Sequence, residues 1–90
     1  MRSRRTARFK TLFDQLPIEV QRSARNAYKL FRRDPAHPSL KFKRLRADRQ
    51  TYSIRIGLGY RALALRFDDV LVWYWIGPHA EYDRLVSQLK

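Results

Sequence analysis

The sequence contains no cysteine, only three glycines and one methionine, and eight acidic residues against twenty lysines and arginines. Without thiols the chain can form neither a disulfide framework nor a thiolate metal site, so its core has to hold by packing alone, and a reducing cytoplasm is the expected compartment. No apolar run approaches the roughly eighteen residues that cross a bilayer, and the arginine-rich start from Met1 to Arg8 is not followed by the apolar stretch of a signal peptide. A soluble, unprocessed protein with no membrane partner is expected. The shortage of acid leaves a net charge of +12 on 90 residues. A body so charged repels itself and is best tolerated beside a polyanion such as nucleic acid, an acidic protein or an anionic surface. With 44% hydrophobic and 13% aromatic residues, it is not a disordered basic tail.

A chain of this length is expected to make one domain over residues 1–90, since it buries only about 60 to 65% of its unfolded surface and cannot fill two cores. Apolar residues Phe9, Leu12, Phe13 and Leu16 follow helical spacing and predict a short helix over about 6–16. Pro17 fits the first turn of a second helix, with Glu19 at the positive end of its dipole and a stripe of Val20, Ala24, Ala27, Tyr28 and Phe31. Asp34-Pro35 stops it. Beyond the proline-rich loop the period drops to two: Leu40 and Phe42 alternate with Lys41 and Lys43, and Tyr52, Ile54 and Ile56 with Ser53 and Arg55. Residues 47–50 read as a polar turn and Gly57-Leu58-Gly59 as a tight one. The segments 60–67 and 70–76, joined by Asp68-Asp69, are apolar on both parities, as in strands covered on both faces. After Gly77-Pro78, Tyr82, Leu85, Val86 and Leu89 mark a C-terminal helix. The predicted fold is α+β: a helix hairpin packed on a four-stranded antiparallel sheet, closed by a short helix. Met1 to Arg5 is too short and too charged to read as a strand.

No phosphate-binding glycine loop, paired-histidine metal motif or nucleophile elbow is present, so the chemistry falls to cations and titratable groups near strand ends. Lys41, Lys43, Arg44 and Arg46 cluster on and after the first strand, with Arg55 and Arg61 on the next two, and together they suit successive phosphates. Arg61 shares its parity with Leu63 and Leu65 and therefore needs a partner or a ligand. Either Asp68, Asp69 or Glu81 pairs with it, or it holds a phosphate in two-pronged fashion. His79 is a candidate for moving a proton, as histidine side chains often are, and Glu81 and Tyr82 follow within a turn. His37 reads as structural. Trp73 and Trp75, on one strand face by parity, read as core rather than as a base-stacking platform.

Four segments together resemble the RelE/ParE superfamily of toxin–antitoxin toxins: Asp34-Pro-Ala-His-Pro-Ser-Leu40 with the basic strand after it, Tyr52-Ser-Ile-Arg-Ile56, Gly59-Tyr-Arg-Ala-Leu63, and Trp75-Ile-Gly-Pro-His-Ala-Glu-Tyr82. In the ribonuclease branch the resemblance implies cutting of messenger RNA in the ribosomal A site, which inhibits translation. A ribose 2′-OH attacks the adjacent phosphate, with neither metal nor cofactor. It assigns phosphate stabilisation to Arg61 and Arg55, a general acid or stacking role to His79 and Tyr82, a base to Glu81, and ribosomal RNA contacts to Lys41 and Lys43. It also implies a cognate acidic or amphipathic antitoxin that lays a helix or strand over the basic groove and the C-terminal helix. Ser53 stands where ribonuclease members often place lysine, and many members carry a strand before the hairpin. The sister ParE branch shares the fold and acts on DNA gyrase without the catalytic set. A catalytically silent RNA-binding domain is the third reading.

Overall fold

In the computed structural model, which describes residues 1–46, 48 and 50–89, the chain forms a five-stranded mixed sheet with a helix hairpin on one face and a short helix on the other. Strand β1 (Arg2–Arg5) leads into helices α1 (Ala7–Asp14) and α2 (Ile18–Arg33). Strands β2 (Lys43–Arg44), β3 (Thr51–Ile56), β4 (Tyr60–Phe67) and β5 (Val70–Pro78) follow, and α3 (His79–Ser87) ends the order. The strands lie as β1-β5-β4-β3-β2, with β1 parallel to β5 and every other pair antiparallel. Among the described residues no helix is long and apolar enough to cross a membrane.

The helices start and stop for local reasons. Thr6 caps α1, its hydroxyl accepting from the Phe9 N–H at 3.1 Å, which satisfies one of the donors that a helix start leaves open. Pro17 sits one position before α2 rather than inside it, and its carbonyl accepts from Val20 and Gln21. The Gln21 amide reaches back to the carbonyls of Asp14 and Leu16 and ties the hairpin together. Glu19 in the first turn of α2 and Arg32 and Arg33 in its last complement the helix dipole.

Three features depart from the pattern of the sequence. Arg2–Arg5 does form a strand, registered Arg2 to Val70 through Arg5 to Trp73, so the sheet has five strands rather than the four expected. Propensity there is overridden by a parallel partner, and exposed arginines blunt the edge against further pairing. The strand expected from Leu40 is a 3₁₀ turn over Pro38–Leu40 followed by Lys41 in the left-handed region at φ 49°, and pairing begins only at Lys43. His37 is structural, as expected: its Nδ1 accepts from the Ser39 N–H at 3.2 Å. Leu40 is buried all the same, from a turn rather than a strand. Ala47 and Arg49 of the expected polar turn lie outside the described residues.

The third departure is a β-bulge. Leu63 faces Trp75 while Ala64 faces Trp73, which leaves Tyr74 as an extra residue on β5. A bulge reverses the face of everything beyond it. Trp73 therefore packs under the hairpin with Phe9, Phe31, Ile54, Ala62 and Ile76, whereas Trp75 packs under α3 with Leu45, Leu63 and Tyr82. Both tryptophans are core, as expected, but not on one face. Burying such side chains contributes roughly 1.5–3 kcal/mol each, and the two clusters together hold the central strands from both sides.

Candidate functional site

The turn Gly57-Leu58-Gly59 brings the ends of β3 and β4 together, and register places Arg55 directly opposite Arg61. Both point to the α3 side, the side of Ser53, Leu63 and Gly77. Like charges facing each other across a strand pair are destabilising. No carboxylate relieves them: among the described residues the one side-chain approach of opposite-charge type is His79 Nε2 to Asp83 Oδ2 at 3.7 Å, which is ionic only with the imidazole protonated. The expected partners Asp68, Asp69 and Glu81 are thus not ion-paired to Arg61.

Arg55 is held by its own turn, Nε donating to the Gly57 carbonyl at 2.9 Å, with Gly57 at φ +59°. The Arg61 guanidinium lies over the Tyr82 ring at 5.1 Å, and its Nη1 is buried with no hydrogen-bond partner. A buried guanidinium N–H without an acceptor is costly. Helix α3 starts at His79, whose backbone N–H donates to the Gly59 carbonyl at 2.8 Å. This locks the helix start to the turn. The His79 ring stacks on Tyr82 at 5.6 Å and 17°. A cavity of about 190 Å³ opens between these parts, lined by Arg55, Leu58, Tyr60, Arg61 and His79. The positive end of the α3 dipole adds to the field.

Tyr82 is only 5% exposed, and its hydroxyl donates to Ser53 Oγ at 3.2 Å. Its phenol is committed to the core. The Tyr82 ring lies beneath the Arg61 guanidinium and stacks against the His79 ring. Ser53 is itself fully buried, so a lysine in its place would have to thread past Tyr82. Glu81 is exposed and its carboxylate does not line the cavity. A Cβ added at Gly77 would stand 3.3 Å from Glu81 Oε2 and 2.7 Å from Trp75 Cζ2, so glycine there lets the indole cross the strand beside Arg61.

Lys41, Lys43, Arg44 and Arg46 do not share one strand face. Lys43 faces Ser53 and shares the face of the arginine pair, whereas Arg44 faces Tyr52 on the other side of the sheet. Lys41 is in the left-handed cap of the 3₁₀ turn and Arg46 is exposed beyond the strand. Leu58, Tyr60 and the Ser53–Tyr82 pair are the parts that sequence reasoning missed. Tight turns hide which side chain they present, and nothing in the spacing joins residues 53 and 82.

A ParE-like toxin domain model matches residues 19–84. The chain belongs to that family. Solved structures of similar shape include the RelB–RelE antitoxin–toxin complex of Methanococcus jannaschii, at 14% identity, TM-score 0.71 and coverage of 90% of this chain and 96% of that one. A RelBE toxin–antitoxin complex of Mycobacterium tuberculosis matches at 23% identity and TM-score 0.67 over 86% and 95% of the chains. The isolated E. coli RelE toxin matches at 18% and 0.65 over 99% and 98%. At these identities the common property is the α+β fold. No curated protein sequence matches. The chain is a toxin of the RelE/ParE type.

The toxin has a second concavity, of about 530 Å³, on the opposite face. Helix α1 packs on β5 and α2 on β3, leaving Ala62 of β4 at the bottom of a channel between them. The floor is apolar, Arg5, Arg25, Lys29 and Arg32 stand among its walls, and Trp73 Nε1 is buried in it without an acceptor. On the α3 side, burial pushes the phenol of the bulge residue Tyr74 above its ordinary value of 10.0. It is neutral at physiological pH and serves packing.

Proposed function

We propose that the toxin is a ribosome-dependent endoribonuclease that cuts messenger RNA by attack of a ribose 2′-OH on the adjacent phosphate. The arginine pair carries the reading: two guanidiniums opposed without a carboxylate, one with an unpartnered buried N–H, beside an open cavity of phosphate size. Such an arrangement is unfavourable in isolation and becomes favourable around an anion. Arg61 and Arg55 hold the non-bridging oxygens and stabilise the charge that grows on them in the transition state. The O2′–P bond forms as the P–O5′ bond breaks, the 2′-OH proton passes to water, and His79 gives a proton to the departing 5′ oxygen. The products are a 2′,3′-cyclic phosphate and a 5′-OH. Tyr82, anchored by Ser53, holds Arg61 and His79 in place. No step is assigned to Glu81. Lys43 extends the cationic face towards ribosomal RNA, and Arg44, Lys41 and Arg46 are free to meet other phosphates.

The partner that restrains the toxin is an acidic antitoxin, and the cation-walled channel under the hairpin suits an amphipathic acidic segment. Similar structures are described as RelB–RelE complexes, which supports such a partner. Membership of the ParE-like family supports a second reading, in which the toxin grips gyrase and cuts nothing. The two separate in one experiment: purified toxin with programmed ribosomes and end-labelled messenger. The nuclease yields fragments ending in 2′,3′-cyclic phosphate, slowed about 10²-fold or more by His79→Ala. Intact messenger together with inhibited supercoiling by gyrase would establish the other reading.

A further inference from the structure

An isolated exposed leucine is ordinary on a protein surface. Leu58 is not ordinary in its setting. It is 93% exposed and packs in neither core cluster, yet it lines the cationic cavity beside Arg61 and His79. Its loop is pinned on both sides, by the Arg55 Nε–Gly57 carbonyl bond at 2.9 Å and the His79 N–H–Gly59 carbonyl bond at 2.8 Å. The flanking glycines carry no side chains of their own, so one apolar side chain stands alone on a fixed turn at the lip of a phosphate-sized hole.

We infer that Leu58 is a wedge that enters between the two nucleobases flanking the phosphate held in the cavity and unstacks them. This rests on the ribonuclease reading. A phosphate bound by Arg55 and Arg61 brings its two nucleosides to the rim, where Leu58 is the exposed apolar surface. In a stacked strand the 2′-OH lies off the line of the P–O5′ bond, and attack requires that line. Leucine is among the side chains that proteins insert between base steps, at a cost of unstacking that binding has to offset. Having no donor or acceptor, Leu58 selects geometry and not base identity, since every base presents an apolar face. It acts through the conformation of the substrate and transfers no proton.

The test uses the full toxin, programmed ribosomes and a defined messenger, under single turnover. Leu58→Ala is expected to leave the melting temperature unchanged and to slow cleavage about tenfold. Leu58→Met, which keeps an apolar side chain of similar volume, is expected to cleave at the wild-type rate. The decisive substrate is a messenger with an abasic nucleotide on the 3′ side of the cut, where no stack remains to be broken. On it Leu58→Ala is expected to match wild type. A variant as fast as wild type on the ordinary messenger, or a deficit that the abasic messenger does not relieve, overturns the wedge while leaving the nuclease standing. Absence of cleavage by the wild type overturns both.

Discussion

Arg61 stands apart from the other unpaired cations because its guanidinium is partly out of water, over Tyr82, with an orphaned Nη1 and another arginine opposite. Arg61→Ala is therefore expected to leave stability unchanged or slightly higher, while cleavage falls about 10²–10³-fold through loss of transition-state charge stabilisation. Thermal melting and single-turnover rates check the two halves. Tyr82 gives the opposite pattern. Tyr82→Phe keeps the ring beneath Arg61 and His79 but strands the buried Ser53 hydroxyl, a cost of about 1–3 kcal/mol. Stability is expected to fall while the cleavage rate stays within about threefold. A rate loss of two orders of magnitude at unchanged stability would return Tyr82 to the proton-moving role that its position after His79 suggests. The identities of Arg55, Arg61 and His79 as candidates were legible in the sequence because cations and a histidine at strand ends stand out. That Tyr82 is bound inward was not, since its partner is twenty-nine residues away.

At the scale of elements, β5 and α3 position the site, and Gly77 lies two residues before α3 begins. Gly77→Ala puts a methyl group 2.7 Å from the Trp75 ring and is expected to destabilise by about 1–3 kcal/mol, measured by chemical denaturation. The effect comes from displaced indole and not from lost backbone freedom, so Gly77→Ala combined with Trp75→Leu should recover part of the loss. Helices α1, α2 and α3 and strands β3 to β5 were readable from apolar periodicity, since one face or both had to be covered. Three things were not. The bulge at Tyr74 leaves no mark in composition yet swaps the faces of Trp73 and Trp75. The Pro38–Leu40 turn imitates the start of a strand because Leu40 and Phe42 are apolar two apart, and the left-handed Lys41 breaks the alternation. Strand β1 has no apolar residue and forms because β5 offers it a parallel edge, a tertiary cause that four local residues do not encode.

On the scale of the whole molecule, a net charge of +12 with one ion pair among the described residues leaves most cations available to outside anions. The channel under the hairpin and the arginine pair are on opposite faces of the sheet, so an antitoxin seated in the channel, as proposed, would leave the arginine-lined cavity open. Binding an acidic amphipathic peptide from the antitoxin is expected to shift the emission of Trp73, buried in that channel, and to weaken steeply with salt as surface charge pairs are screened. Arg25→Glu combined with Lys29→Glu is expected to weaken it at least tenfold by placing like charges at the rim. A peptide that binds the double variant equally well would move the partner to another face.

On the ribonuclease reading Arg61 makes this fold a nuclease, and controlled expression in a bacterial host tests that most directly, with wild type and Arg61→Ala side by side and primer extension on a translated reporter messenger. The expected result is growth arrest with discrete cuts in the reading frame for wild type, both abolished by Arg61→Ala at equal protein level. Arrest without cuts, or cuts that persist in Arg61→Ala, would contradict it.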